Sequence, residues 1–299
     1  MKLWFENFPH YWLKHNNFIV DVLHTKTNVK ITPDNPDLVI FSNFGDIEKI
    51  KNYECKKCFY TMENIKYSTH KQIHNDEQLI LNFPFEHYLK YSDFSLLFNK
   101  QTNINIEFPV WVALLPNQNF DILTEKRKNF LKDKYCSFIV SNNLINDNID
   151  LFKNISPRYY FFKKLSEKKY IHSGGKYKNN IGYPIKNKCE YLKNFIFNLG
   201  FENSYGYHYT TEKLVDPFLS SCIPIYWGGE RCFDFFRKDL IVNAKDKSVD
   251  EVFDEMEEIY NDKDKIKYMT TEPVIDKYPI EYIPKYIAEQ ILDRTFYTT

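Results

Sequence analysis

Residues 201–213, Phe-Glu-Asn-Ser-Tyr-Gly-Tyr-His-Tyr-Thr-Thr-Glu-Lys, hold the densest set of polar side chains able to do chemistry. A helix is predicted to begin inside this run. Leu214, Val215, Phe218 and Leu219 share one face, and Thr210 or Thr211 can cap it. Glu212 and Lys213 then fall in its first turn. A cation is unfavourable there, because the helix dipole is positive at that end. An anion bound at the same place would account for it, since free N–H groups, the dipole and Lys213 would all face negative charge. Taken alone, a solvated surface lysine accounts for Lys213 equally well. A buried strand, Ile223-Pro-Ile-Tyr-Trp227, follows. Loop, helix start and strand together suit a nucleoside diphosphate ligand such as a sugar nucleotide. Its pyrophosphate gains charge as the bond to the sugar breaks, and that charge needs a metal, cationic side chains or a helix N-terminus. Pro217 lies inside the predicted helix, where it removes the hydrogen bond to residue 213 and would kink or shorten it.

The elements that must position these groups alternate along 299 residues, a length that allows two domains. In the first half, Phe18–Leu23, Asp37–Ser42, Lys57–Thr61 and Phe94–Phe98 are short apolar runs of strand length, and Thr69–Gln78 reads as a polar loop or insertion. In the second half, Cys136–Val140, Asn194–Phe197, Ile223–Trp227 and Leu240–Val242 read as strands, and Arg158–Leu165 as a helix. Residues 116–135 read as an exposed connection. A last helix is expected over Ile280–Leu292, with Pro284 near its start. Short buried strands between helical stretches imply a parallel α/β sheet in each half. The expected organisation is two Rossmann-like domains facing each other across a cleft, over residues 1–130 and 131–275, with a C-terminal helix or tail over 276–299. Ligands in such sheets bind beyond the carboxyl ends of the strands.

Charge is balanced, with 40 basic and 40 acidic residues, so a nucleic-acid partner is not expected. No apolar run is long enough for a transmembrane helix. Glu6 and His10 come too early for a signal peptide, which leads to a cytoplasmic expectation. Six cysteines fit a reducing compartment. Cys55 and Cys58 form one CxxC without a second half, so they read as small residues entering a strand rather than as a zinc site. Abundant Lys, Asn, Ile, Tyr and Phe suggest an AT-rich genome, such as that of a parasite, a bacterium or a giant virus. Asp262-Lys-Asp264 is formally a DxD, but no strand precedes it and it reads as a solvated turn.

Phe201-Glu-Asn-Ser, Tyr207-His-Tyr-Thr-Thr-Glu-Lys and Ile223-Pro-Ile-Tyr-Trp-Gly, in this order and at this spacing, resemble the donor-binding signature of the family 10 glycosyltransferases, the α-1,3/4-fucosyltransferases. Upstream, Ser141-Asn142 with Arg158, Phe161 and Leu165, and then Ser173-Gly-Gly-Lys-Tyr, also resemble that family. The resemblance is specific over 136–243 and thinner over 1–115. It implies a GT-B fold and an inverting, metal-independent enzyme with GDP-fucose as donor substrate and no cofactor. Arg158 and Lys213 would hold the pyrophosphate. Glu212 would bind ribose hydroxyls or steady the positive charge developing on the fucose ring. Asn203 and Tyr209 would line the same pocket.

Tyr60-Thr-Met-Glu-Asn64 resembles the family's Tyr-Thr-Gly-Glu-Asn segment, whose glutamate is the proposed general base. That implies Glu63, with Met62 where the family has glycine. The family's Arg-x-Pro is here Glu107-Phe-Pro109, and residues 67–89 resemble an insertion. The acceptor implied is an N-acetylglucosamine or glucose hydroxyl in a glycan, with an α-1,3 linkage. Two alternatives use the same residues: transfer from another nucleotide sugar, or non-catalytic binding of a glycan or nucleotide, which Met62 leaves open.

Overall fold

The computed structural model describes residues 1–9, 12, 14, 17–64, 70–74, 77–81, 85–116, 119–141, 157–277 and 279–297. The chain forms two compact units, Met1–Gln118 with Pro279–Thr299, and Asn119–Tyr278. The division falls before residue 130, and the C-terminal segment belongs to the first unit rather than standing apart.

The first unit is built on a parallel six-stranded sheet. Its strands are β1 (Lys2–Glu6), β2 (Lys30–Ile31), β3 (Leu38–Phe41), β4 (Lys56–Tyr60), β7 (Phe94–Leu97) and β8 (Asn105–Glu107), in the order β2-β1-β3-β4-β7-β8. Every residue of β3 and β7 is buried, as expected of parallel strands covered on both faces. Phe59 stacks on Tyr88 of α2 (Phe85–Leu89) with ring centroids 4.8 Å apart. Its neighbour Tyr60, pointing the other way, meets Phe18 of α1 (Phe18–His24) at 5.6 Å. A short helix, α3 (Val110–Ala113), follows β8.

Three features depart from the sequence expectation. Phe18–Leu23 is helix α1, not a strand: Asn17 caps it by accepting from the Ile19 and Val20 amides, and Ile19, Val20, Val22 and Leu23 form its buried face. The first strand, β1, pairs with both β2 and β3, although charged ends obscure its pattern. The polar segment before α2 contains an antiparallel hairpin, β5 (His70–His74) with β6 (Glu77–Leu81).

The second unit opens with α4 (Asp121–Thr124) and carries a parallel five-stranded sheet, β10-β9-β11-β12-β13. The strands are β9 (Lys134–Phe138), β10 (Ile171–Ser173), β11 (Phe195–Phe201), β12 (Ile223–Trp227) and β13 (Val242–Asn243). Helix α5 (Arg158–Lys168) connects β9 to β10, α6 (Lys188–Leu192) precedes β11, and α7 (Glu212–Leu219) connects β11 to β12. After β13 come α8 (Val249–Tyr260), started by a Ser248–Glu251 capping box, and α9 (Lys263–Thr271). Asp262 of the DxD caps α9 by accepting from the Lys265 amide.

The chain then returns to the first unit as α10 (Pro284–Phe296), with Pro284 at its first turn and its length against α1. Glu107, which stands where the resembled Arg-x-Pro motif has arginine, accepts a hydrogen bond from the Tyr282 hydroxyl at 2.8 Å and ties this returning segment to β8. Among the described residues no helix is long and apolar enough to cross a membrane.

Candidate active site

In the second sheet, the connection after β9 leads to β10 on one side, and the chain then crosses to β11 on the other. The loops leaving the carboxyl ends of β9 and β11 therefore diverge at a topological switch point, the usual place for a ligand crevice. Arg158 belongs to the first of these paths, and Glu202, Asn203 and Lys213 to the second.

Arg158 is the first residue of α5 and is 4% exposed. It donates from Nη1 to the Asn203 side-chain oxygen at 2.7 Å. Burial lowers its pKa, with Glu202 partly opposing the shift. Lys213 sits in the first turn of α7, whose cap is Thr211. Two cations thus occupy the first turns of two helices, each against the helix dipole. Such an arrangement costs stability in the empty protein and favours a bound anion.

Two carboxylates counter these cations. Glu212 Oε1 accepts from Lys213 Nζ at 2.8 Å. Burial alone would raise the Glu212 pKa, but Lys213 and Lys188 outweigh it and hold the carboxyl at about 2. Glu202 is fully buried. Its Oε1 accepts from the Thr211 amide at 2.8 Å, and its Oε2 from the Thr211 hydroxyl at 2.7 Å, with Lys213 Nζ 3.8 Å away. Burial opposes the Lys213 ammonium, yet Glu202 and Glu212 together raise its pKa. Tyr209 is buried, and its backbone bridges the loop: its N–H donates to Gly206, and its carbonyl accepts from Gly229 at 3.2 Å.

Glu202 is the residue that sequence reasoning missed as a site member. It lies within the Phe-Glu-Asn-Ser motif, and its position one residue beyond an all-buried strand was the available signal.

Pro217 is inside α7, as predicted. The Lys213 carbonyl, which Pro217 cannot bond, lies against Gly200 of β11: a Cβ at Gly200 would stand 2.3 Å from that oxygen. Absence of a side chain at 200 lets strand and helix approach where the helical bond is missing.

Glu63 lies in the first unit, after the carboxyl end of β4. Its amide donates to the Thr61 hydroxyl at 3.0 Å, and that hydroxyl donates to Asn43 Oδ1 at 2.8 Å. Asn43 follows β3. Ser42 beside it donates to the carbonyl of Asn7, and the Asn7 amide side chain donates to the Asp46 carbonyl at 2.9 Å. The ends of β1, β3 and β4 are therefore laced by polar side chains, with half-buried Met62 and Glu63 on the resulting turn. Asn142, paired with Ser141 in the sequence reading, lies outside the described residues. Among the described residues no group of three or more His, Cys, Asp or Glu is placed to hold a metal.

Residues 3–114 match the model of the α-(1,3)-fucosyltransferase FucT N-terminal domain. Residues 130–271 match that of the glycosyltransferase family 10 (fucosyltransferase) C-terminal region. The chain belongs to glycosyltransferase family 10. Among relatives, an α-(1,3)-fucosyltransferase FucT of Helicobacter pylori is 28% identical over 265 residues, covering 82% of this chain and 53% of the relative. The chain thus spans about half the length of that curated relative. A crystal structure of an α1,3-fucosyltransferase superposes with a TM-score of 0.75 at 21% identity, covering 100% of this chain and 90% of the other. A structure described as α1,3-fucosyltransferase with GDP-fucose gives 0.72 at 21% identity, covering 100% and 91%. Likeness at this identity establishes the fold, which is the GT-B fold of two parallel α/β units. The family 10 C-terminal match contains Arg158, Glu202, Asn203, Tyr209, Glu212 and Lys213, and the N-terminal match contains Glu63.

Proposed function

We propose that this family 10 chain transfers L-fucose from GDP-β-L-fucose to a hydroxyl of an N-acetylglucosamine or glucose unit in a glycan, forming an α-1,3 linkage with inversion. The observation that carries the reading is the pair of cations, Arg158 and Lys213, at two helix N-termini on the switch-point loops of the second sheet. The H. pylori relative's name supports the choice of sugar and linkage, and the structure described with GDP-fucose supports the choice of nucleotide.

In this mechanism GDP is the leaving group. Arg158 offers a planar fork to phosphate oxygens, and Lys213 a compact charge. Both counter the charge that grows on the β-phosphate as the glycosidic bond breaks. Glu212, held ionised, faces ribose hydroxyls or the positive charge developing on the fucose ring. Asn203 orients Arg158, and Tyr209 lines the pocket. Glu63 takes the acceptor proton as the hydroxyl attacks the anomeric carbon, the one general base that inversion requires. The charges this mechanism needs come from protein side chains, so no metal or cofactor is part of it. Six free thiols fit a reducing cytoplasm as the setting.

A donor panel read by hydrolysis and transfer tests this directly. Turnover of GDP-fucose with an N-acetyllactosamine acceptor, followed by linkage analysis giving α-1,3 product, is the expected result. Turnover of UDP-sugars without GDP-fucose would overturn the donor assignment.

A further inference from the structure

Among the described residues Glu202 is the one fully buried carboxylate beside the donor site, and its surroundings serve it in two protonation states. As a carboxylate, it accepts both Thr211 bonds and faces the Tyr226 hydroxyl at 3.3 Å from Oε1. That hydroxyl also lies 3.2 Å from Thr210 Oγ1. It has a single proton, so it can donate to only one of the two. If Glu202 is protonated on Oε1, the acid donates to Tyr226 and Tyr226 donates to Thr210, with no polar atom stranded. Gly228 packs against the same side chain: a Cβ there would stand 2.6 Å from Glu202 Cγ.

The facing groups set the balance. They are Lys213 and Glu212 on α7, Tyr226 on β12, Cys232 on the turn over Glu230–Asp234, and Arg158 on α5. With both glutamates ionised, Arg158 and Lys213 balance the two anions, and Lys188, which also acts on Glu212, is itself paired with Asp216 at 2.8 Å. A diphosphate at this site adds negative charge and competes for Lys213, among the described residues the one cation within ion-pair distance of Glu202. Both changes favour a neutral Glu202. Resting on the donor-site reading above, we propose that Glu202 is a proton-linked positioning residue: it clamps Thr211 and Lys213 in the empty site, and takes up a proton from solvent when the donor's diphosphate draws Lys213 away.

Burial lifts the Glu202 carboxyl to about 7, with Lys213 opposing the rise, so the group is poised to change state near neutrality. The proton moves only between solvent and Glu202. The residue touches no reacting atom in this scheme. Its effect is to free Lys213 without leaving an unpaired charge sealed in the protein.

The test is calorimetric titration of the whole protein with GDP at about pH 8, where phosphate groups are fully ionised, in two buffers of different ionisation enthalpy. Wild type is expected to take up a substantial fraction of a proton per GDP. Glu202→Gln is expected to bind GDP with almost no uptake. A GDP affinity that falls with rising pH in wild type, and is flat in the variant, is the second expected sign. Absence of uptake in wild type with GDP binding intact overturns the proposal, as does equal uptake in the variant. Failure of wild type to bind GDP would instead overturn the donor-site reading, and this proposal with it. If the variant does not fold, the difference infrared spectrum of wild type decides: GDP must bring up a protonated-carboxyl band, and its absence overturns the proposal.

Discussion

The Arg158 guanidinium donates to the Asn203 side-chain oxygen at 2.7 Å, which fixes the first residue of α5 to the loop leaving β11. This bond joins the two connections that diverge at the switch point. Arg158→Ala is expected to weaken GDP affinity by about 1.5–3 kcal/mol, the range for a charge-assisted contact. Arg158→Lys should not restore it, since an ammonium lacks the fork that spans Asn203 and a phosphate oxygen together. Asn203→Ala should lose less, about 1 kcal/mol, because the cation remains but its direction is unset. Calorimetry on the three variants checks the ranking. An Asn203→Ala loss as large as that of Arg158→Ala would mean that Asn203 contacts the donor on its own account.

The two glutamates of the cluster have opposite effects on stability with pH. The folded pKa of Glu202 is raised from 4.5 to about 7, so the folded state binds the extra proton between those values, and stability falls as pH rises through that window. The penalty is complete above about 7 and is of order 3 kcal/mol. Glu212 is held at about 2, so its contribution is present above 4.5 and is lost as pH falls toward 2. Thermal melts of Glu202→Gln against wild type should therefore show a relative gain for the variant from pH 5 to pH 8. A constant difference across that range would place the Glu202 carboxyl at its ordinary pKa.

Much of the second unit was legible because its signals agree. In α7, the Thr211 cap, the apolar stripe of Leu214, Val215 and Phe218, and the polar loop before it point the same way. The first unit was harder to read. Phe18–Leu23 is rich in β-branched residues and has strand length, but a side-chain cap and a buried face at 3.6-residue spacing decided for helix. β1 is an interior strand of its sheet, paired on both sides, yet it reads Lys-Leu-Trp-Phe-Glu, with charges at both ends. Lys213 was visible as a cation misplaced against a helix dipole, and Arg158 through the family resemblance. Glu202 was not, because its one local signal, a place just past an all-buried strand, does not by itself separate a glutamate that will be buried under a helix start from one left in a loop. Its partners at 211, 213 and 226 meet it only after β11, α7 and β12 have assembled.

Glu63→Gln separates chemistry from donor binding. The amide keeps the size of the side chain, and the turn is held by the Glu63 main-chain N–H to Thr61, which the change leaves alone. Transfer from GDP-fucose is expected to fall by about 10²–10⁴, the range for loss of a general base. GDP affinity should be unchanged, because Arg158, Glu202 and Lys213 belong to the other unit. Steady-state transfer assays and calorimetry read the two quantities. Full transfer activity in this variant would remove Glu63 from the mechanism.

Gly200 and Pro217 both bear on one atom, the Lys213 carbonyl oxygen. Pro217 supplies no N–H to it, so the oxygen is left for another neighbour, and the bare Cα of Gly200 is what meets it. A methyl group at 200 would stand 2.3 Å from that oxygen, against backbone that cannot rotate away. Gly200→Ala is therefore expected to cost about 1–3 kcal/mol of stability, as overpacking does, and to displace the first turn of α7 that carries Lys213. GDP affinity should fall with it. Pro217→Ala offers the missing N–H, and its methyl stays within space that the larger ring already fills. It should leave GDP affinity unchanged and melt no lower than wild type. Denaturation and calorimetry on both variants test the asymmetry. An equal loss of GDP affinity in both would mean that the interruption of the helix, rather than the glycine contact, seats Lys213.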